Sequence, residues 1–203
     1  MHMALTGLFR AKWTNQIHDE WITSLLEDRT DLTLTQLTRT RQLMDVHVLD
    51  ALVEGYEHRI DALALPDPDD RHVLAATIES KSSLIVTWNI VDFPEGALAP
   101  HGIVAVTPDD FVLDQIDLSV ELLIQAVCRH KESLKNPALT WPEYYANLER
   151  QRLVGTVSRL RDLIPDTMTG TTQPSPQPCH LPPVIPSLSR HHPYRQVRRR
   201  CVT

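Results

Sequence analysis

Residues 9–14, Phe-Arg-Ala-Lys-Trp-Thr, alternate apolar and polar side chains, the period of a half-buried strand. Thr14 or Asn15 can cap the segment that follows. Over 15–28, Ile17, Trp21, Ile22, Leu25 and Leu26 recur at helical spacing, which predicts an amphipathic helix. On that helix Glu20 borders the apolar stripe, while His18 and Asp19 are expected to face outward. Leu32 to Met44 reads as a second helix with Leu34, Leu37 and Met44 toward a core, and the Val- and Leu-rich stretch 46–53 as a short strand.

Pro66-Asp67-Pro68-Asp69-Asp70 interrupts the pattern. Each proline removes a backbone donor and pushes its predecessor out of helical geometry. A compact helix over His72–Ile78 follows, then Leu84-Ile85-Val86-Thr87-Trp88, an apolar run of the kind buried on both faces of a parallel sheet. Asp92-Phe93-Pro94 and Gly96 read as a loop, and Ile103–Val106 as another buried strand. Thr107-Pro108-Asp109-Asp110 is a helix start with cap, proline and first-turn acids. A helix from Ser119 to Leu134 is predicted next. Another starts at Thr140, with Glu143 at capping-box spacing, and runs to Leu163. Helices alternating with short buried strands predict an α/β fold around a parallel sheet.

After Pro165 the composition shifts. Seven of the 15 prolines lie in residues 174–193, among Ser, Thr and Gln, and the segment is expected to be disordered. Arg195–Arg200 at its end is basic, the composition of a solvated tail or of a phosphate-binding arm. Residues 167–203 carry five Arg and no acid, so the body before them holds 15 basic side chains against 26 acidic ones. Such a body does not bind nucleic acid by bulk charge and needs a local reason, such as a divalent metal. No apolar run of about 18 residues is present, so no membrane span is expected, and a cytoplasmic location is the default. Cys128, Cys179 and Cys201 are dispersed, which argues against a disulfide framework or zinc site.

The candidate chemistry lies in acids at element ends. Asp67, Asp69 and Asp70 precede a helix, where backbone N–H groups and the helix dipole favour an ionised carboxylate, the ligand Mg²⁺ or Mn²⁺ takes. One cap explains one aspartate, and three in four residues exceed that need. Asn89 and Asp92 follow the C-terminal end of a buried strand, where open parallel sheets place ligand sites, although Asn/Asp turns are common there. Glu20 is the third acid.

Leu65-Pro66-Asp67-Pro68-Asp69-Asp70-Arg71-His72-Val73-Leu74-Ala75-Ala76, then Leu84–Asn89 and Asp92-Phe93-Pro94, resemble a PIN-domain subfamily of bacterial proteins. The resemblance takes in Gly7–Trp13, Ile17–Glu20, Ala99–Ile103 and the Asn136-Pro137 turn, and covers roughly residues 4–163. It implies a three-layer α/β/α sandwich with a central parallel sheet, spanning 1–116, and a helical extension over 117–165; the tail over 166–203, read from composition, has no counterpart in it. It also implies metal-dependent ribonuclease chemistry with Mg²⁺ or Mn²⁺, and often the toxin role of a toxin–antitoxin pair. In that frame Glu20, Asp70 and Asp92 are the catalytic carboxylates and metal ligands, with Asp69 and Asn89 as further ligands; Arg71 or Arg10 contacts phosphate. RNA, an antitoxin protein and a second copy of the chain are the implied partners. The family begins with a strand ending in an aspartate, and Met1-His2-Met3-Ala4-Leu5 does not provide it. An inactive remnant that binds a protein partner is therefore the second expectation, and a nucleotide-binding α/β domain, disfavoured by the lack of a glycine-rich phosphate loop, the third.

Overall fold

The computed structural model describes residues 2–135 and 137–164, and the backbone of 201–202. The expected disorder of the Pro-rich segment, and the role of Arg195–Arg200, lie outside the described residues. The described chain is mostly helical with one small parallel sheet, an α/β arrangement as the alternation of patterns implied. The described residues divide into two compact units: residues 3–107 with Cys201–Val202, and residues 108–135 and 137–164 with His2.

The first unit begins with β1 (Arg10–Ala11) and α1 (Asn15–Asp28). Thr14 caps α1 by accepting the Ile17 N–H at 3.0 Å. Helix α2 (Leu34–His47) starts at a capping box between Thr33 and Gln36. Leu37 is buried on it as expected, whereas Leu34 is exposed, because as the first helical residue it precedes the turn that faces the core. The strand expected over 46–53 is absent. Val46 and His47 continue α2, and only Leu52 makes a bridge, parallel to Trp13.

Asp67 caps a 3-10 turn over Pro68–Asp70, which leads into α3 (Arg71–Glu79). Strands β2 (Leu84–Val86) and β3 (Val104–Val106) pair in parallel. Between them the expected loop is largely helical: a 3-10 turn over Ile90–Asp92, then α4 (Glu95–Leu98), started by Pro94 in an extended conformation. Gly102, at φ 67°, turns the chain into β3. Strand β4 (Cys201–Val202) lies between β1 and β2, so the sheet order is β1-β4-β2-β3, all parallel. Leu74, Ile85, Phe93, Leu98 and Ile103 form the core around β2, each worth about 1.5–3 kcal/mol as buried side chains.

In the second unit α5 (Pro108–Leu118), α6 (Val120–Ser133), α7 (Trp141–Arg150) and α8 (Val154–Leu163) follow one another. Thr140 and Glu143 form the capping box read from the sequence. The single helix expected from Thr140 to Leu163 is broken, however. Arg152 sits in the left-handed region at φ 64°. Its N–H donates to Glu149 O at 2.9 Å and the Leu153 N–H to Leu148 O at 3.1 Å, the bonding of a Schellman stop. Tyr144 and Tyr145 are buried, and burial pushes the Tyr144 hydroxyl up to about 12.

Candidate functional site: a carboxylate cluster at helix and strand ends

The cluster is built by the start of α3, the middle of α1 and the turn after β2, all in the first unit. Asp70 occupies the cap position of α3, yet its side chain makes no capping hydrogen bond. Asp67 does the capping instead, accepting the Asp69 N–H at 2.9 Å. Asp70 thus keeps its oxygens unspent on the helix.

The local charge follows from this. Burial first, then the charges of Asp67, Asp92 and Glu20, push the Asp70 carboxyl above its ordinary value, against an opposing pull from His72. The helix start was expected to favour the ionised form. Without a backbone N–H bonded to its oxygens, and with three acids nearby, Asp70 shifts the other way. Asp70 therefore lies within the electrostatic reach of Glu20 and Asp92.

His72 was not singled out from the sequence. It is buried on α3, and its Nε2–H donates to Glu20 Oε1 at 2.9 Å. The same oxygen accepts from Gln16 Nε2 at 3.1 Å. His72 Nδ1 is buried with no partner among the described residues. Protonating it would bury a second N–H without an acceptor, so burial lowers the His72 pKa even though Glu20, Asp70 and Asp69 pull it up. His72 is then a neutral donor that links α3 to the Glu20 carboxylate. Its signal in the sequence was an imidazole two residues after Asp70, on the first turn of an apolar helix.

The remaining candidates sit around this link. Asp69 and Asn89 are exposed and Asp92 is half-buried. The Asn89 N–H donates to Thr87 Oγ1 at 3.0 Å, a turn made by the threonine hydroxyl rather than by the Asn89 side chain. Arg71 Nε donates to Pro68 O at 2.9 Å, so its guanidinium braces the 3-10 turn. Arg10 is exposed on β1.

These carboxylates suit Mg²⁺ or Mn²⁺ in kind, being hard oxygen donors with unbalanced negative charge. They are not gathered at coordinating distance: among the described residues no group of three or more His, Cys, Asp or Glu stands close enough to hold an ion.

One expectation on α1 is overturned. His18 does not face outward but is fully buried. Trp21 Nε1–H, which can only donate, bonds His18 Nδ1 at 2.9 Å. The His18 proton must then lie on Nε2, which donates to Asp45 Oδ1 at 3.0 Å. Trp13 Nε1–H donates to the same Asp45 oxygen at 2.8 Å. Every ring nitrogen in this set is satisfied, which is how a histidine and parts of two tryptophans can be buried together.

Residues 108–162 match a family model described as the VapC50 C-terminal domain. The chain is also 42% identical over 71 residues to a protein of Mycobacterium tuberculosis (strain ATCC 25618 / H37Rv) described as "Putative ribonuclease VapC50". Both findings support a VapC-like PIN-domain family. The aligned stretch is 35% of this chain and 42% of that relative, so the chain spans less than half of the relative's length. No solved structure matches the chain. The first matched residue, Pro108, also opens the first helix of the second unit, so sequence similarity and compactness draw the same boundary there. Among the described residues no helix is long and apolar enough to cross a membrane.

Proposed function

We propose that the chain is a VapC-type ribonuclease that hydrolyses an RNA phosphodiester with Mg²⁺ or Mn²⁺, on a PIN-type sandwich, and is held in check by an antitoxin protein. The observation that carries this is the Asp70 carboxyl, raised first by its burial and then by the charges of Asp67, Asp92 and Glu20 around it. A cluster that resists its own charge gains most from a divalent cation. The description of the Mycobacterium tuberculosis relative as a ribonuclease supports the same reading.

Asp70 and Asp92 would hold the ion with Glu20, and Asp69 and Asn89 would supply further oxygens. A cation bound there would activate water and offset the charge of the scissile phosphate. The chain's own contribution is to keep these groups in place. His72 fixes the Glu20 oxygen, and Asp67 takes over the capping so that Asp70 stays available. Arg10 is the exposed cation offered to a phosphate, since Arg71 is partly committed to Pro68 O.

The test is Mn²⁺ binding by calorimetry alongside Mn²⁺-dependent cleavage of a mixed RNA pool. Wild type should bind and cut, and Asp70→Ala and Glu20→Ala should do neither. Equal cleavage by Asp70→Ala would remove the site from the reading. A second reading is an inactive module that binds a protein partner. It is favoured by the absence, among the described residues, of three ligands at coordinating distance, and it predicts partner capture without cleavage.

A further inference from the structure

The geometry points to a strand-addition site between β1 and β2: an extended segment enters the sheet there, parallel to both, and in this chain Cys201–Val202 supply it. The evidence is in the backbone. Strand β4 pairs with β1 on one side, Arg10 to Cys201 and Ala11 to Val202, and with β2 on the other, Leu84 to Val202. Without it, β1 and β2 would face an opening with unbonded backbone edges inside a sheet, which is costly.

The two sides of β2 can be told apart. On the β3 side, Val104 N–H donates to Ser83 O at 3.1 Å and Thr87 N–H donates to Val106 O at 3.0 Å. Backbone groups alternate along a strand, so residues 83, 85 and 87 turn their N–H and C=O toward β3. Leu84 and Val86 therefore turn theirs toward the slot. Val202 lies opposite Leu84, so β4 covers the first slot-facing residue of β2.

Leu84 and Ile85 are buried on the two faces of β2, so the occupant must also be covered on both faces. That calls for a short apolar extended segment of the Cys-Val type, held by main-chain bonds. A strand of two residues contributes few such bonds. The occupant is thus exchangeable, and the same segment offered as a separate peptide should enter the slot.

Amide hydrogen exchange tests this with its own control. The comparison is between the full chain and a chain lacking residues 199–203, with Ile85 and Thr87 as amides committed to β3. On deletion the Leu84 amide should exchange at least tenfold faster while Ile85 and Thr87 hold. A large excess of a peptide of sequence Arg-Arg-Cys-Val-Thr should slow Leu84 again. Equal Leu84 exchange with and without the segment overturns the proposal, and so does continued fast exchange in saturating peptide. If the shortened chain does not fold, the full chain decides: backbone NOEs from Val202 to Leu84 and Ala11 are required, and their absence overturns it.

Discussion

Asp109→Ala should undo the start of α8. Leu153 at the cap position of that helix makes no side-chain cap bond. The first-turn donors are met instead from α5: Asp109 Oδ2 accepts the Gly155 N–H and Oδ1 the Thr156 N–H, each at 2.8 Å. Thr156 is buried, so water cannot take over there when the carboxylate goes. Loss of a cap costs about 0.5–2 kcal/mol and a buried unmet donor about 1–3 kcal/mol. A combined loss of roughly 2–3 kcal/mol follows, and for a unit this small that lowers Tm by on the order of 10 °C. Thermal melts, with amide exchange over 154–163, measure it. Gly155 supplies a sign test. A Cβ there would meet Asp109 Oδ2 at 3.0 Å and Leu113 Cδ1 at 3.1 Å. Gly155→Ala should therefore destabilise the wild type, while in the Asp109→Ala background the helical preference for Ala, worth about 1 kcal/mol, should emerge. A loss under about 0.5 kcal/mol for Asp109→Ala, or the same sign for Gly155→Ala in both backgrounds, would refute this account.

Asp45→Ala leaves the His18 and Trp13 N–H groups without their acceptor and should cost roughly 2–4 kcal/mol in urea unfolding; Asp45→Asn, which keeps one oxygen, should cost less. Asp70→Asn should raise Tm at neutral pH while removing Mn²⁺ binding, because the folded state holds the Asp70 proton more tightly than the unfolded chain and so pays for its ionisation; a lower Tm would contradict the raised carboxyl. His72 shifts downward, so its contribution is fully present above the ordinary histidine value of 6.5 and is lost as pH falls below it, where the unfolded chain takes up the proton first. Wild-type stability should fall below pH 6.5 more steeply than that of His72→Gln, and parallel profiles would exclude the mechanism.

The parts of the fold that could be read from the sequence were those set by local chemistry. Thr14 and Thr140 each fix a helix start with their own side chains, and the Leu84–Val86 and Val104–Val106 runs announce the two paired strands, although Val104–Val106 is half-buried rather than buried. The break at Arg152 was hidden because an arginine stands in a left-handed position that usually signals itself with glycine. His18 was misplaced for a related reason. On the helical wheel it lies beside the apolar stripe, and only partners from Trp13 and Asp45 make its burial tolerable. In the site, Asp70 and Asp92 were legible as acids at element ends and Glu20 as an acid bordering an apolar helical stripe. The His72 link was not, since the sequence shows no pairing between positions 20 and 72.

The Asp109 contact also has a consequence in time. It joins residues 46 and 47 positions apart, from the opening helix of the second unit to its closing one. During synthesis α5 emerges well before Gly155 and Thr156, so Asp109 must wait for them. Closing a loop of that length carries an entropic toll that grows only slowly with its size, but it falls due late, after α6 and α7 can already have formed. Docking of α8 should accordingly be the last event as this unit folds and the first reversed as it opens, making that helix the place where a protease would find the chain.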